Sequence, residues 1–156
     1  MTEIRIDAAR LEDIPAMTAL LADLFSIEQD LVPDLSRQAQ GLALLLQEPK
    51  RATVRVARDA SGEVVGMITA QLVISTAEGA PSAWIEDVVV AAHARGDGIG
   101  KNLLEAVLAW ASEQGATRAQ LLVDLDNSAA LGFYQHLGWQ TTHFGMRRIQ
   151  LGKQNP

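Results

Sequence analysis

The sequence predicts an α/β fold built on a central, mostly antiparallel mixed sheet flanked by helices. Three observations lead there. The segments ATVRVAR (Ala52 to Arg58) and EVVGMITAQLVIS (Glu63 to Ser75) are rich in β-branched residues and separated only by Asp59-Ala60-Ser61-Gly62. A turn of that length joins adjacent antiparallel strands. Upstream, Leu11, Ile14, Met17, Leu21 and Leu24, and then Leu35, Ala39, Leu42 and Leu46, recur at helical spacing, the mark of two helices each burying one face. Downstream, the strand-like WIEDVVV (Trp84 to Val90) leads through a glycine-rich turn into a third helical stripe of Ile99, Leu103, Val107, Trp110 and Ala111.

Taken in order, EIRIDA (Glu3 to Ala8) alternates as an opening strand does, and Asp7 or Asp13 is placed to cap the first helix. Pro15 falls in that helix's first turn, where proline is tolerated. The polar stretch from Ser26 to Asp34 breaks the pattern, leaving Glu28, Asp30 and Asp34 at a helix junction, either as a solvated loop or as a rim that receives a cation. Glu48-Pro49-Lys50 ends the second helix. WIEDVVV reads as a central strand buried on both faces, in which the neighbours Glu86 and Asp87 point to opposite sides. Gly115 stops the third helix, RAQLLVDL (Arg118 to Leu125) resumes as a strand, and Asn127 or Ser128 caps a short helix closed by Gly138. The final strands are expected within Trp139 to Leu151.

With 156 residues, the chain is expected to form one domain over residues 1–151, burying about two-thirds of its extended surface, with a loose tail at 152–156. It contains no cysteine, which removes thiol nucleophiles, thiolate zinc sites and disulfides from consideration. The start MTEIRIDAARLED lacks an apolar signal core and no apolar run approaches a membrane span, so a cytoplasmic protein without a membrane partner is expected. A net charge of −6 disfavours nucleic acid as a partner. It also suits solubility, and would focus a cationic substrate. His93, His136 and His143 have no ligand spacing, so no metal is expected.

The chemistry concentrates in RGDGIGKNLL, from Arg95 to Leu104. Gly96, Gly98 and Gly100 permit positive φ and close approach of a ligand to backbone N–H groups. The helix that follows adds unpaired amides and the positive end of its dipole, and Arg95 and Lys101 bracket the turn with charge. Phosphate binding follows from that combination. A nucleotide P-loop fits poorly because Asn102, rather than Ser or Thr, follows Lys101. A dinucleotide turn also fits poorly, since the order is Arg95-x-x-Gly98-x-Gly100 in the second half of the chain.

That spacing, preceded by WIEDVVV and followed by Asn127, Tyr134 and Gly138-Trp139 in that order, resembles the GNAT superfamily of N-acyltransferases from Trp84 to about Trp139. IEDVVV is similar to the corresponding strand of polyamine and diamine acetyltransferases. The resemblance implies acetyl-CoA as cosubstrate, and a sheet splayed between WIEDVVV and RAQLLVDL. Backbone of Val88, Val89 and Val90 would pair with the pantetheine arm. Amides of Arg95, Gly96, Asp97, Gly98, Ile99, Gly100 and Lys101 would cradle the pyrophosphate, and Asn127 would help hold the CoA arm. Glu86 would be the base, directly or through water, and burial on such a strand would desolvate its carboxylate in a way that suits a base near neutral pH. Tyr134 would protonate the departing thiolate, a reasonable task for a phenol whose ordinary pKa is near 10. The implied reaction is acetyl transfer to a primary amine by direct attack. The acceptor stays open among small amines, aminoglycosides and protein amines, with a cationic one favoured by charge. A non-catalytic acyl-CoA sensor is the alternative within the same family, and family habit implies a homodimer.

Overall fold

The computed structural model describes residues 3–27 and 34–152. These form the order β1 (Arg5–Ala8), α1 (Ile14–Ile27), α2 (Leu35–Leu46), β2 (Ala52–Arg58), β3 (Val64–Ser75), β4 (Ala80–Val90), α3 (Ile99–Glu113), β5 (Arg118–Leu121) and α4 (Ser128–His136). The chain separates into two compact units, Met1–Leu122 and Val123–Pro156. Glu28, Asp30 and the tail from residue 153 lie outside the described residues.

The first unit holds a five-stranded mixed sheet in the order β1-β2-β3-β4-β5. Its first three ladders are antiparallel and β4–β5 is parallel. The β2–β3 hairpin forms as expected, with Asp59 Oδ1 accepting from the Ser61 and Glu63 amides and Gly62 at φ 87°. Alternation sorts the strands into two faces. On one, Val54, Val56, Met67 and Val89 pack with Met17, Leu20, Leu21 and Leu42 from α1 and α2. On the other lies α3, whose whole predicted stripe, Ile99, Leu103, Val107, Trp110 and Ala111, is buried. Gly66 permits that close seating: a Cβ there would lie 3.2 Å from Leu103 Cδ1 and 3.3 Å from Ile99 Cγ2.

Several expectations are corrected. Leu11 precedes α1 in a 3₁₀ turn and is exposed. Asp7 accepts from no amide of α1, whereas Asp13 Oδ2 accepts from the Arg10 amide at 2.8 Å, at the start of the 3₁₀ turn that leads into α1. Both also grip Arg58. Its Nη1 and Nη2 donate to Asp13 Oδ1 and Oδ2 at 2.8 and 2.7 Å, and its Nε donates to Asp7 Oδ2 at 3.0 Å. Arg58 and Asp13 are both buried, so the fork supplies the pairing without which a buried charge is not tolerated. RAQLLVDL contributes only Arg118–Leu121 to a ladder. Leu122 and Leu125 lie exposed.

The second unit is described by itself. Asn127 caps α4 as expected, its Oδ1 accepting from the Ala130 amide at 3.0 Å, and Gly138 follows the helix at φ 90°. The strands expected within Trp139 to Leu151 are absent among the described residues. A strand is defined by a ladder, and none of these residues enters one; Phe144, Ile149 and Leu151 are exposed.

Candidate active site

The site in the first unit begins with an irregularity in β4. Its ladder with β3 pairs Gly66 with Val90 and Met67 with Val89, then resumes at Thr69 with Glu86. Asp87 and Val88 therefore stand opposite the single residue Ile68, a β-bulge. The extra residue is accommodated at Asp87, which takes φ 58°, the one positive φ among the described non-glycine residues. Such a conformation is uncommon outside glycine and marks a position held by its surroundings. The bulge shifts the phase of the strand, so Glu86 and Val89, opposite Thr69 and Met67, share the face on which α1 and α2 pack.

Two expectations about WIEDVVV change as a result. The strand is not buried on both faces, because Glu86 is exposed, and the desolvation anticipated for its carboxylate is missing. Nor do Glu86 and Asp87 face apart. The Thr69 hydroxyl lies 3.0 Å from Asp87 Oδ2 and 3.2 Å from the Glu86 carbonyl oxygen, and both residues line one open groove of about 1020 Å³. Trp84, two residues before Glu86 on the same face, donates its indole N–H to Glu86 Oε1 at 2.8 Å. That bond fixes one carboxylate oxygen.

The groove lies between these strands and α2. Its walls mix Leu42, Leu45 and Leu72 with Glu48, Arg51 and Gln71. Gln38, on α2, also lines it and is buried. Sequence reading passed over Gln38, although a polar residue four before Leu42 on a helix's inward side was a signal worth weighing. Asp34, described as the N-cap of α2, accepts from the Arg37 amide at 3.1 Å. Its carboxylate is thus committed to the helix start.

The glycine turn follows the same, C-terminal end of β4. The β4–β5 ladder runs from Ser82 with Arg118 to Ile85 with Leu121 and stops there, so among the described residues Glu86 to Val90 have no ladder partner on that side. After a 3₁₀ turn over Ala92–Ala94, Arg95 Nε donates to the Val90 carbonyl at 3.0 Å, tying the turn to the end of the strand. Gly96 and Gly98 take φ 96° and 78°, with open space where a Cβ would stand. Gly100, expected to be a third positive-φ position, is instead in the first turn of α3. The first bond of α3 runs from the Asn102 amide to the Gly98 carbonyl at 3.0 Å. The amides of Ile99, Gly100 and Lys101 therefore point out of the helix end, as geometry requires. Lys101 lies 3.9 Å from Glu105.

In the second unit, the Tyr134 ring packs against Phe133 at 5.1 Å and edge-on against Trp139 at 5.9 Å. Burial pushes its phenol up to about 12. Asn127 Oδ1 is used in the α4 cap. Among the described residues no cluster of three or more His, Cys, Asp or Glu side chains is placed to hold a metal, and no helix is long and apolar enough to cross a membrane.

Known proteins converge with this arrangement. A family model described as the acetyltransferase (GNAT) family matches residues 14–139. The L-2,4-diaminobutyric acid acetyltransferase of Chromohalobacter salexigens is 32% identical over 100 residues, which cover 62% of this chain and 50% of that enzyme. This chain thus spans about half of that relative's length. The aminoalkylphosphonate N-acetyltransferase of Salmonella typhimurium is 30% identical over 143 residues, 87% of this chain and 84% of the relative. Among solved structures, a possible acetyltransferase from Clostridium difficile 630 matches with a TM-score of 0.82 at 20% identity, over 96% of this chain and 99% of that one. That likeness shows the fold.

Proposed function

This chain belongs to the acetyltransferase (GNAT) family, and from that premise we propose that it transfers the acetyl group of acetyl-CoA to the primary amine of a small molecule by direct attack. Residues 1–151 act in this reading as one N-acetyltransferase domain, a view supported by a family match that draws on both compact units. The observation that carries the proposal is the β4 edge. Its ladder with β5 ends at Ile85 while the strand continues to Val90 and is tied by Arg95 to a glycine turn with outward amides. An extended amide-bearing arm with an anionic end matches such an edge followed by such a turn.

In this reading Val88, Val89 and Val90 offer backbone groups to the pantetheine arm. The turn from Arg95 to Lys101 holds the pyrophosphate, and Asn127 helps to hold the arm. Glu86, directly or through water, takes the proton that the attacking nitrogen must lose as the C–N bond forms. Tyr134 donates a proton towards sulfur as the C–S bond breaks, leaving CoA as its thiol. Glu86 then returns its proton to solvent and Tyr134 is reprotonated from it, so the net change is amine plus thioester to amide plus thiol. Small amines are favoured as acceptors because the relatives are named for diaminobutyric acid and aminoalkylphosphonates.

The experiment that tests this function is a panel of small amines incubated with acetyl-CoA while free thiol is followed. Release that depends on the amine is expected for at least one member, and a panel without any such release would reject the reading. Binding gives a separate check. At a hundredfold excess over Kd, acetyl-CoA should raise Tm by about 5–10 °C, whereas ATP and NAD should leave it unmoved. Gly98→Val should cut that shift by more than half, because a β-branched residue is strained at the φ of 78° seen there. Unaltered acetyl-CoA affinity in Gly98→Val would remove the turn from the account.

A further inference from the structure

Gln38 lies in the second turn of α2, is 8% exposed, and lines the groove shared with Glu86 and Asp87. Neither its Oε1 nor its Nε2 has a hydrogen-bond partner among the described residues. A buried carboxamide with both ends unpaired is rare, and in a native protein it calls for an explanation. The surrounding helix does not supply one. Leu42 and Leu45 flank the position, and a leucine or methionine would pack there at no polar cost.

We propose that Gln38 is a specificity-determining residue of the acceptor site, and that the acceptor is a small amine whose second functional group both donates and accepts hydrogen bonds. This deepens, and rests on, the acyl-transfer reading above. The chemistry follows from the two unpaired atoms. Oε1 needs a donor and Nε2 needs an acceptor. A second ammonium, as in a diamine, only donates and leaves Nε2 unpaired. A carboxylate only accepts and leaves Oε1 unpaired. A hydroxyl or a carboxamide does both. Both atoms are buried where the side chain rests and no hydrogen bond among the described residues holds them there, so recognition requires the carboxamide to turn about its torsions towards the groove when such a group arrives. The reacting amine then sits towards Glu86, with the recognised group towards α2.

The test compares kcat/KM for ethanolamine, glycinamide, propylamine and putrescine with acetyl-CoA, in the wild type and in Gln38→Met, which keeps length and volume. The wild type should prefer ethanolamine or glycinamide over both of the others by roughly 100-fold or more, because a site built to hydrogen-bond a group rejects analogues lacking it. Which of the two is preferred separates a hydroxyl from a carboxamide. In Gln38→Met that ratio should collapse to within about threefold, and Tm should match or exceed that of the wild type, since an unpaired buried amide has been removed. If Gln38→Met fails to fold, Gln38→Leu, which also removes both hydrogen-bonding atoms, reads the same ratio. An undiminished wild-type ratio in either variant, or equal use of propylamine by the wild type, overturns this proposal and leaves acyl transfer standing. Turnover of no amine at all overturns both.

Discussion

Glu86→Gln and Tyr134→Phe are each expected to lower turnover by roughly 10- to 10⁴-fold, the range for loss of a general base or acid, while acetyl-CoA still binds. Both changes nearly conserve shape. Glu86→Gln also keeps an oxygen for the Trp84 indole, which donates to Glu86 Oε1 at 2.8 Å, so a defect reports proton chemistry rather than a displaced strand. For Tyr134 the decisive fact is burial, which pushes the phenol up to about 12. A thiol ionises near 8.5, so complete transfer from Tyr134 to a free thiolate is uphill by about 3.5 pKa units, or about 5 kcal/mol. Moving the proton earlier or later leaves that cost unchanged, so in the proposed role Tyr134 eases departure by hydrogen-bonding the developing thiolate, and any tyrosinate formed is reprotonated from solvent.

Two consequences follow for pH. Tyr134 stays protonated well beyond pH 10, so any alkaline limb of the rate between pH 8 and 10 has another origin and should persist in Tyr134→Phe. Because the folded-state value is raised above the unfolded one near 10, folding stability from this residue is complete below about pH 10 and falls as pH rises through about 12. The Tyr134→Phe defect should also shrink with a donor whose thiol is more acidic, since a better leaving group needs less help. Wild-type rates in both variants with a verified amine would remove these two side chains from the chemistry.

Replacing Arg58 with Met should destabilise the protein by about 3–5 kcal/mol, the cost of leaving one member of a buried ion pair alone. The stranded group is Asp13, which is 7% exposed and accepts from Arg58 through both oxygens. Asp7 fares better, because it also accepts from Arg5 at 2.8 Å and is more exposed. A second change, Asp13→Leu, should recover most of the loss. The pH dependence has a definite sign. The Arg58 hydrogen bonds hold the Asp13 carboxyl below its ordinary range, against the opposing effect of burial. A depressed folded-state value means that its contribution is present above about pH 4 and lost as pH falls through the folded value. In Arg58→Met the carboxyl keeps the Arg10 amide as a partner but loses its countercharge, so it gains by protonation and the gap between wild type and variant should narrow in acid. Urea melts at pH 7 and pH 3 would show it. An equal gap at both pH values would mean that packing, not the ion pair, sets the effect.

The β2–β3 hairpin and α3 were legible in the sequence because turn chemistry and periodicity report local structure and burial directly: every residue of the Ile99 to Ala111 stripe is buried, and the β2–β3 turn has the expected residues. Gly96, Gly98 and Asn127 were legible for a similar reason, since left-handed φ and helix capping depend on side-chain type at one position. The bulge was not legible. One extra residue in β4 is invisible until β3 sets the register, and it alone decides that Glu86 and Asp87 share a groove. Asp13 was legible as a cap, since it accepts from the Arg10 amide, but its pairing with Arg58 was not, because Arg58 is far along the chain. The groove is likewise assembled from α2, β3 and β4, and no local pattern announces it. Strands were expected from Trp139 to Leu151, but none of these residues enters a ladder among the described residues.

Amide formation from acetyl-CoA and a small amine, as proposed above, is checked by quantifying the N-acetylated amine and free CoA thiol together, by mass spectrometry, in one reaction with the wild-type protein. One amide should form per thiol released, with thiol release near the spontaneous rate when the amine is left out. Thiol released without amide, or acetyl-CoA bound but unchanged with every amine offered, would contradict it.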